Sequence, residues 1–321
     1  MKTNNRKRNM LLAACAVVIA GMLGSCSKSS SSSGGPTPPT NPGGYDSAGQ
    51  VASANLVAYW SFNGTLTDAK QGLAGSNNGS TFTTGLKGQG YQGGGNSYVT
   101  YSNTGNLGSL SSFTISVWIN QPSQPVNNTT SGYIAGQGAQ GILFLYDTAG
   151  NWNLLHMDLE PYTPVSGDSV RIHAGFNNTG NTAGAGWTGI VPEGFLDTAI
   201  AKWTHVVLTY DGTSSNYTLY HNGQPIAVNS AWANALTPQT MYNGPSGDPT
   251  TTPMGGLHFK YAPQGLILGA FPQVATPNAN IGGPQPWSGN LQGAMDELRV
   301  YNKALNAQDV ASLYILEKAG F

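Results

Sequence analysis

Ten short runs of β-branched and aromatic residues alternate with Gly, Asn, Asp and Pro clusters along residues 55–321. They are "LVAYWSF", "SYVTY", "SFTISVWINQ", "GILFLYD", "NWNLLHMDL", "VRIHAG", "WTHVVLTYD", "YTLYHNG", "GLILGAF" and "AMDELRVY". This is the pattern of strands joined by turns. "DTAGN" and "HNGQ" read as tight turns, the second with the Asn-Gly pair favoured in type I′ hairpins. Gly accounts for 44 of 321 residues, about twice the usual share, which suits turns and long loops. The predicted fold class is all-β: a two-sheet antiparallel β-sandwich of the jelly-roll type with a short C-terminal helix.

That helix is predicted over "LNAQDVASLY". Asn306 can cap it with Asp309 at N3, and Leu305 and Val310 are placed for a hydrophobic staple. Val310, Leu313 and Tyr314 form an apolar stripe at helical spacing. The stripe predicts packing on the sandwich, without chemistry.

The chain begins differently. Lys2, Arg6, Lys7 and Arg8 precede the apolar run "MLLAACAVVIAGML", which is too short to span a bilayer and reads as a secretory signal. "LGSC", ending at Cys26, resembles a bacterial lipobox; the alternative is an ordinary signal peptide cleaved nearby. The Ser-, Gly- and Pro-rich stretch that follows cannot bury enough apolar surface to order itself. The predicted organisation is a signal peptide at 1–25, a tether at 26–54 and one domain at 55–321. Cys15 lies inside the apolar run, so the exported chain has no disulfide and no thiolate metal site. Four of the 13 Lys and Arg lie in the basic start, against 14 Asp and Glu overall. No basic patch remains for nucleic acid.

Only 8% of the chain is charged, which makes two charged stretches stand out. Along "AMDELRVY", alternation puts Asp296 in phase with Leu298 and Val300, at the edge of the interior. Glu297 and Arg299 then face outward as an exposed ion pair worth little. A buried Asp296 needs a partner, and backbone N–H groups are one possibility. Along "NWNLLHMDLE", Leu155, Met157 and Leu159 look like core. Trp152, Leu154, His156, Asp158 and Glu160 take the other face. In "VRIHAG", Val170, Ile172 and Ala174 point inward and Arg171 and His173 outward. If the two strands are neighbours, Trp152, His156, Asp158, Arg171 and His173 share one exposed face. An aromatic ring beside charged planar groups suits a sugar; the alternative is a solvated face with an Asp158–Arg171 pair.

The order "LVAYWSFNGTLTDAKQG", "SFTISVWIN", "WTHVVLTYDGTSSNYTLYHNG", "GLILGA" and "GAMDELRVYNKALNAQDVASLY" resembles the laminin-G-like jelly rolls of the concanavalin A-like lectin/glucanase superfamily. The resemblance implies a concave sheet whose face and rim loops bind glycans. It also implies a structural Ca²⁺ site joining the two ends of the domain, from Asn63, Gly64, Asp68 and Asp296. Asn63 stands where relatives often carry Asp. Long loops at 161–198 and 230–261 add aromatic residues, and Trp187 and Trp287 are further ligand candidates. Trp60, Trp118 and Trp203 are expected in the core.

Superfamily glucanases often carry an E-x-D-x-x-E strand, which is absent here. If the protein were a glycoside hydrolase or lyase, Asp158, Glu160 and His156 would be its catalytic groups. The expectation is non-catalytic polysaccharide binding by a Bacteroidetes-type lipoprotein. It would be anchored in the outer membrane through lipid on Cys26, facing either the cell surface or the periplasm, and could partner an outer-membrane transporter. A protein-binding surface module is the remaining alternative.

Overall fold

In a computed structural model, residues 36–125, 138–147, 149, 154–161, 168–176, 193–230, 233–235, 239–240, 253–277 and 280–321 are described. All ten predicted runs form strands, which pair into two sheets. Sheet A runs in space through β13 (Gln224–Pro225), β12 (Asn216–His221), β11 (Trp203–Asp211), β6 (Phe113–Asn120), β19 (Ala294–Tyr301), β4 (Gln89–Gln92) and β3 (Thr81–Thr84). Within it, β1 (Leu56–Trp60) also pairs with β19, and β16 (Gln239–Thr240) with β12. Sheet B runs through β10 (Glu193–Leu196), β9 (Val170–Phe176), β8 (Leu155–Glu160), β7 (Ala139–Tyr146), β17 (Gly265–Leu268), β5 (Tyr98–Tyr101) and β2 (Ser76–Asn78). In this sheet β18 (Ser288–Asn290) pairs parallel with β7; the other pairs are antiparallel. A small hairpin joins β14 (Val228–Ser230) to β15 (Ala233–Ala235).

The main core lies between the sheets. Val117, Ile119, Leu208 and Leu298 from sheet A meet Leu143, Met157, Ile172 and Leu266 from sheet B. In the β12–β13 turn, Asn222 and Gly223 both take positive φ (49° and 77°), as the Asn-Gly pair predicts.

Among the described residues, two α-helices complete the unit: α1 (Pro272–Ala275) and α2 (Ala307–Lys318). At the start of α2, the Asn306 side chain accepts the Asp309 amide at 2.9 Å, a cap worth about 1 kcal/mol. The Asp309 carboxylate accepts the Tyr45 hydroxyl at 2.8 Å. Tyr45 belongs to the predicted tether, so that boundary moves. The compact unit is Pro38–Phe321: Ala48 and Val51 are buried with Val310 and Leu313, and the Ala48 amide donates to the Phe321 carbonyl. The tether sequence is polar on average, but these few apolar side chains have a helix face to cover.

The outer face of sheet A corrects the expectation for the charged end. Met295 faces the core, opposite Ile119, while Asp296 lies opposite Trp118. The register then slips between Asp296 and Arg299, with Glu297 at φ 49°. This is a β-bulge, which reverses the alternation that follows it. Leu298 and Val300 therefore return to the core. Asp296 and Glu297 do not point to opposite faces, and Glu297 and Arg299 are not exposed. All three are buried, at 0%, 1% and 4% exposure: the turn at 85–89 covers Asp296, and Arg299 lies against Glu317 of α2.

Beneath α2, Arg299 donates to Glu297 and to Glu317, each at 2.6 Å. Tyr59 donates to Glu297 at 2.9 Å and Trp118 Nε1 to Glu317 at 2.7 Å. The Arg299 guanidinium also sits 4.0 Å over the Tyr59 ring. His205 contacts Ser116 at 2.8 Å. Burial first, then the Arg299 charge, pushes its pKa down to about 3, which keeps it neutral. Removing one member of a buried ion network strands the others. Arg299→Ala is therefore expected to cost on the order of 3–5 kcal/mol in urea unfolding; a cost under about 1 kcal/mol would contradict the network's role.

Candidate functional site

The outer face of sheet B carries the second charged group. Antiparallel pairing of β8 with β9 sets Asp158 opposite His173 and Glu160 opposite Arg171. Gly175, which adds no side chain, stands opposite His156. Side chains two apart along one strand share a face, so His156, Asp158, Glu160, Arg171 and His173 come together as predicted. Val170, Ile172, Ala174, Leu155, Met157 and Leu159 fill the core on the other side.

The geometry is tighter than a solvated face. His173 Nδ1 lies 3.2 Å from Asp158 Oδ1 and 3.3 Å from Glu160 Oε1. His156 Nε2 is 3.8 Å from Asp158 Oδ1, and Arg171 Nη1 is 3.0 Å from Glu160 Oε2. Arg171 thus pairs with Glu160, the residue opposite it in the ladder. His156 and Asp158 are only 2% and 1% exposed, which corrects the expectation of a fully exposed face; Arg171, His173 and Glu160 reach 15%, 18% and 27%. Leu154 is also in the core, one residue before regular alternation begins.

Aromatic residues explain part of the burial. The Phe144 ring stacks on His156 at 5.4 Å and 9°. Phe271 lies 4.5 Å from Phe144, and Trp287 meets Phe271 edge-on at 5.5 Å. The His156 and His173 rings are 5.5 Å apart. A row of rings therefore crosses the face from partly exposed Trp287 to partly exposed His173. Phe144 and Phe271 were not identified from sequence. The signal was present: in "GILFLYD", Phe144 falls out of phase with Leu143 and Leu145, whose side chains face the core. Trp152, Trp187 and Cys26 lie outside the described residues.

The four expected calcium ligands divide between two turns. Asp68 is buried and accepts the amides of Tyr59, Lys70 and Gln71 at 2.6–3.1 Å. Asn63 accepts the Gln89 amide at 2.7 Å. Asp296 accepts the amides of Lys87 at 3.0 Å and Glu297 at 2.8 Å. Asn63 and Asp296 thus flank the turn at 85–89, with Gly64 beside Asn63, while Asp68 organises the turn at 67–71. Burial pushes the Asp296 pKa up to about 7, against the Lys87 amide, which lowers it.

A third feature was missed. Trp203 is not core: it is partly exposed and lines a polar depression of about 190 Å³ with Thr83, Gln92, Asn120 and Gln292.

The raised Asp296 pKa has a consequence for stability. The folded state binds this proton more tightly than the unfolded chain, whose Asp titrates near 4. Stability from Asp296 is full below that value and is lost as pH rises through about 7. In EDTA, Asp296→Asn is expected to remove much of this slope in urea unfolding. A variant whose profile parallels that of the wild type would contradict it.

No curated protein matches the chain. Among solved structures, it is similar to domain 4 of AbnA, a GH43 extracellular arabinanase from Geobacillus stearothermophilus, in complex with arabinotriose. The identity is 17%, over 81% of this chain and 98% of that one, with a TM-score of 0.46. It is also similar to the binding domain of Paraclostridial Mosquitocidal Protein 1, at 14% identity over 83% and 52% of the two chains, with a TM-score of 0.48. The receptor-binding domain of botulinum neurotoxin type G gives 12% identity over 81% and 50%, with a TM-score of 0.43. The Laminin_G_3 family model, described as concanavalin A-like lectin/glucanases superfamily, matches residues 93–253, half of the sequence. The chain belongs to the concanavalin A-like lectin/glucanase superfamily.

Proposed function

We propose that the protein binds carbohydrate on the outer face of sheet B without cleaving it, and that lipid on Cys26 tethers it to the outer membrane, where it assists polysaccharide capture. One observation carries the glycan reading: the ring row ends in a partly exposed Trp287 on one side and in the partly exposed Arg171–Glu160–His173 group on the other. An indole can cover the C–H face of a sugar. A guanidinium and a carboxylate can donate to and accept from its hydroxyls.

Retardation in native gels cast with a panel of polysaccharides tests it. Arg171→Ala and Trp287→Ala are each expected to weaken retardation by roughly tenfold, on the order of one lost charged hydrogen bond or stacking contact. Retardation with no release of reducing sugar supports binding. Release that disappears in Asp158→Ala or Glu160→Ala would instead make the protein a hydrolase or lyase. Co-purification with an outer-membrane protein and no glycan retention would favour the protein-binding alternative.

Calcium belongs to this reading at the 85–89 turn, where the buried Asp296 carboxylate would gain a counter-charge and Asn63 a second oxygen ligand. The expected result is a melting temperature that falls on adding EDTA and recovers with Ca²⁺. Superimposed curves would remove calcium from the account.

A further inference from the structure

We propose that His156, Asp158 and His173 bind a divalent transition-metal ion of the zinc type, with Glu160 beside His173 at the rim of the site. The inference concerns the floor of the face proposed above for glycan; it shares that location but does not require sugar to be the ligand.

The ligand atoms are spaced for a metal ion. Four ligand atoms about 2.0–2.2 Å from a zinc ion at tetrahedral angles stand about 3.3–3.6 Å from one another. His173 Nδ1 is 3.2 Å from Asp158 Oδ1 and 3.3 Å from Glu160 Oε1. His156 Nε2 is 3.8 Å from Asp158 Oδ1. One ligand atom from each of His156, Asp158 and His173 falls within 4.8 Å of the others. Rotation about the side-chain bonds of Asp158 and of His173, the more exposed of the two imidazoles, closes the wider separations. Among the described residues this is the one group of three or more His, Cys, Asp or Glu that meets such a spacing.

Donor chemistry selects the metal. Two imidazoles with carboxylate oxygens suit zinc and its neighbours in the first transition row. Calcium takes six to eight oxygen ligands, and two of the positions here are nitrogen. This ion is therefore different from the calcium expected at the 85–89 turn.

The surroundings orient the ligands. Phe144 stacks nearly parallel on the His156 imidazole and limits its rotation. Arg171 holds the far oxygen of Glu160 at 3.0 Å, leaving Oε1 towards His173. Such supporting contacts fix ligand orientation and raise affinity. Direct pairing of Asp158 with His173 across β8 and β9 places two ligands on rigid backbone. The partial exposure of His173 and Glu160 gives an ion a route in.

The test uses the protein stripped with a chelator and titrated calorimetrically with Zn²⁺ alone, with bound metal counted by elemental analysis. One zinc per chain is expected, with no competition from excess Ca²⁺. His173→Ala and His156→Ala should each weaken uptake by at least about a hundredfold. His258→Ala, at an exposed histidine elsewhere, should leave uptake unchanged. Far-UV circular dichroism checks that the variants fold, and His173→Gln serves if the alanine variant does not. Absence of zinc uptake by the wild type, or uptake that both histidine substitutions leave intact, overturns the proposal. The two readings separate in the same preparation. Polysaccharide retention by protein that takes up no zinc removes the metal alone; zinc uptake without retention on any polysaccharide removes the glycan reading alone.

Discussion

Arg299 carries a charge that it cannot shed, at a position only 4% exposed. Burying an unpaired guanidinium would cost several kcal/mol, so the surrounding elements are arranged to receive it. Glu297 comes from a bulge in the same strand and Glu317 from the last turns of α2. The bulge places Glu297 on that face, and the ion pair fixes where α2 rests. Once α2 is seated, it gives Tyr45, Ala48 and Val51 a surface to pack on, which draws the segment before β1 into the fold. The unit from Pro38 to Phe321, which contains no cysteine, thus brings its first and last segments together on α2.

The same constraint acts on sheet B. A sandwich uses one face of each sheet for its shared core and must account for the other. On sheet B, Phe144, Phe271 and Trp287 cover one part, and the remainder carries His156, Asp158, Glu160, Arg171 and His173. The two outer faces resolve buried charge differently. Under α2 the carboxylates meet a permanent cation. On sheet B the buried Asp158 lies between two imidazoles, groups whose charge depends on pH and which are also metal ligands. That difference leads the functional reading to sheet B and assigns sheet A to closure of the fold.

The strands were legible because alternation with a period of two leaves a mark in the sequence, and the capped C-terminal helix because its cap and stripe are local. The β8–β9 ladder was legible for the same reason. Four things were not. The bulge at Glu297 leaves no compositional trace, so Asp296 was assigned to the wrong face. Burial of His156 was hidden because Phe144, which stacks on it, lies on a different strand, and Phe271, which packs on Phe144, is more than a hundred residues away along the chain. Trp203 begins a strand that otherwise supplies core, and only its position at the strand end leaves it partly exposed. Very short strands such as β2, β13 and β18 gave no signal because two or three residues cannot display a period.

The central claim is that the outer face of sheet B meets the ligand while that of sheet A holds the fold together. Hydrogen–deuterium exchange with and without a polysaccharide that retards the protein in gels tests it most directly. The account predicts new protection in 155–160, 170–176 and the 271–287 segment, with α2 and β19 unchanged. Protection centred instead on Thr83, Gln92 and Trp203, or on α2, would contradict it.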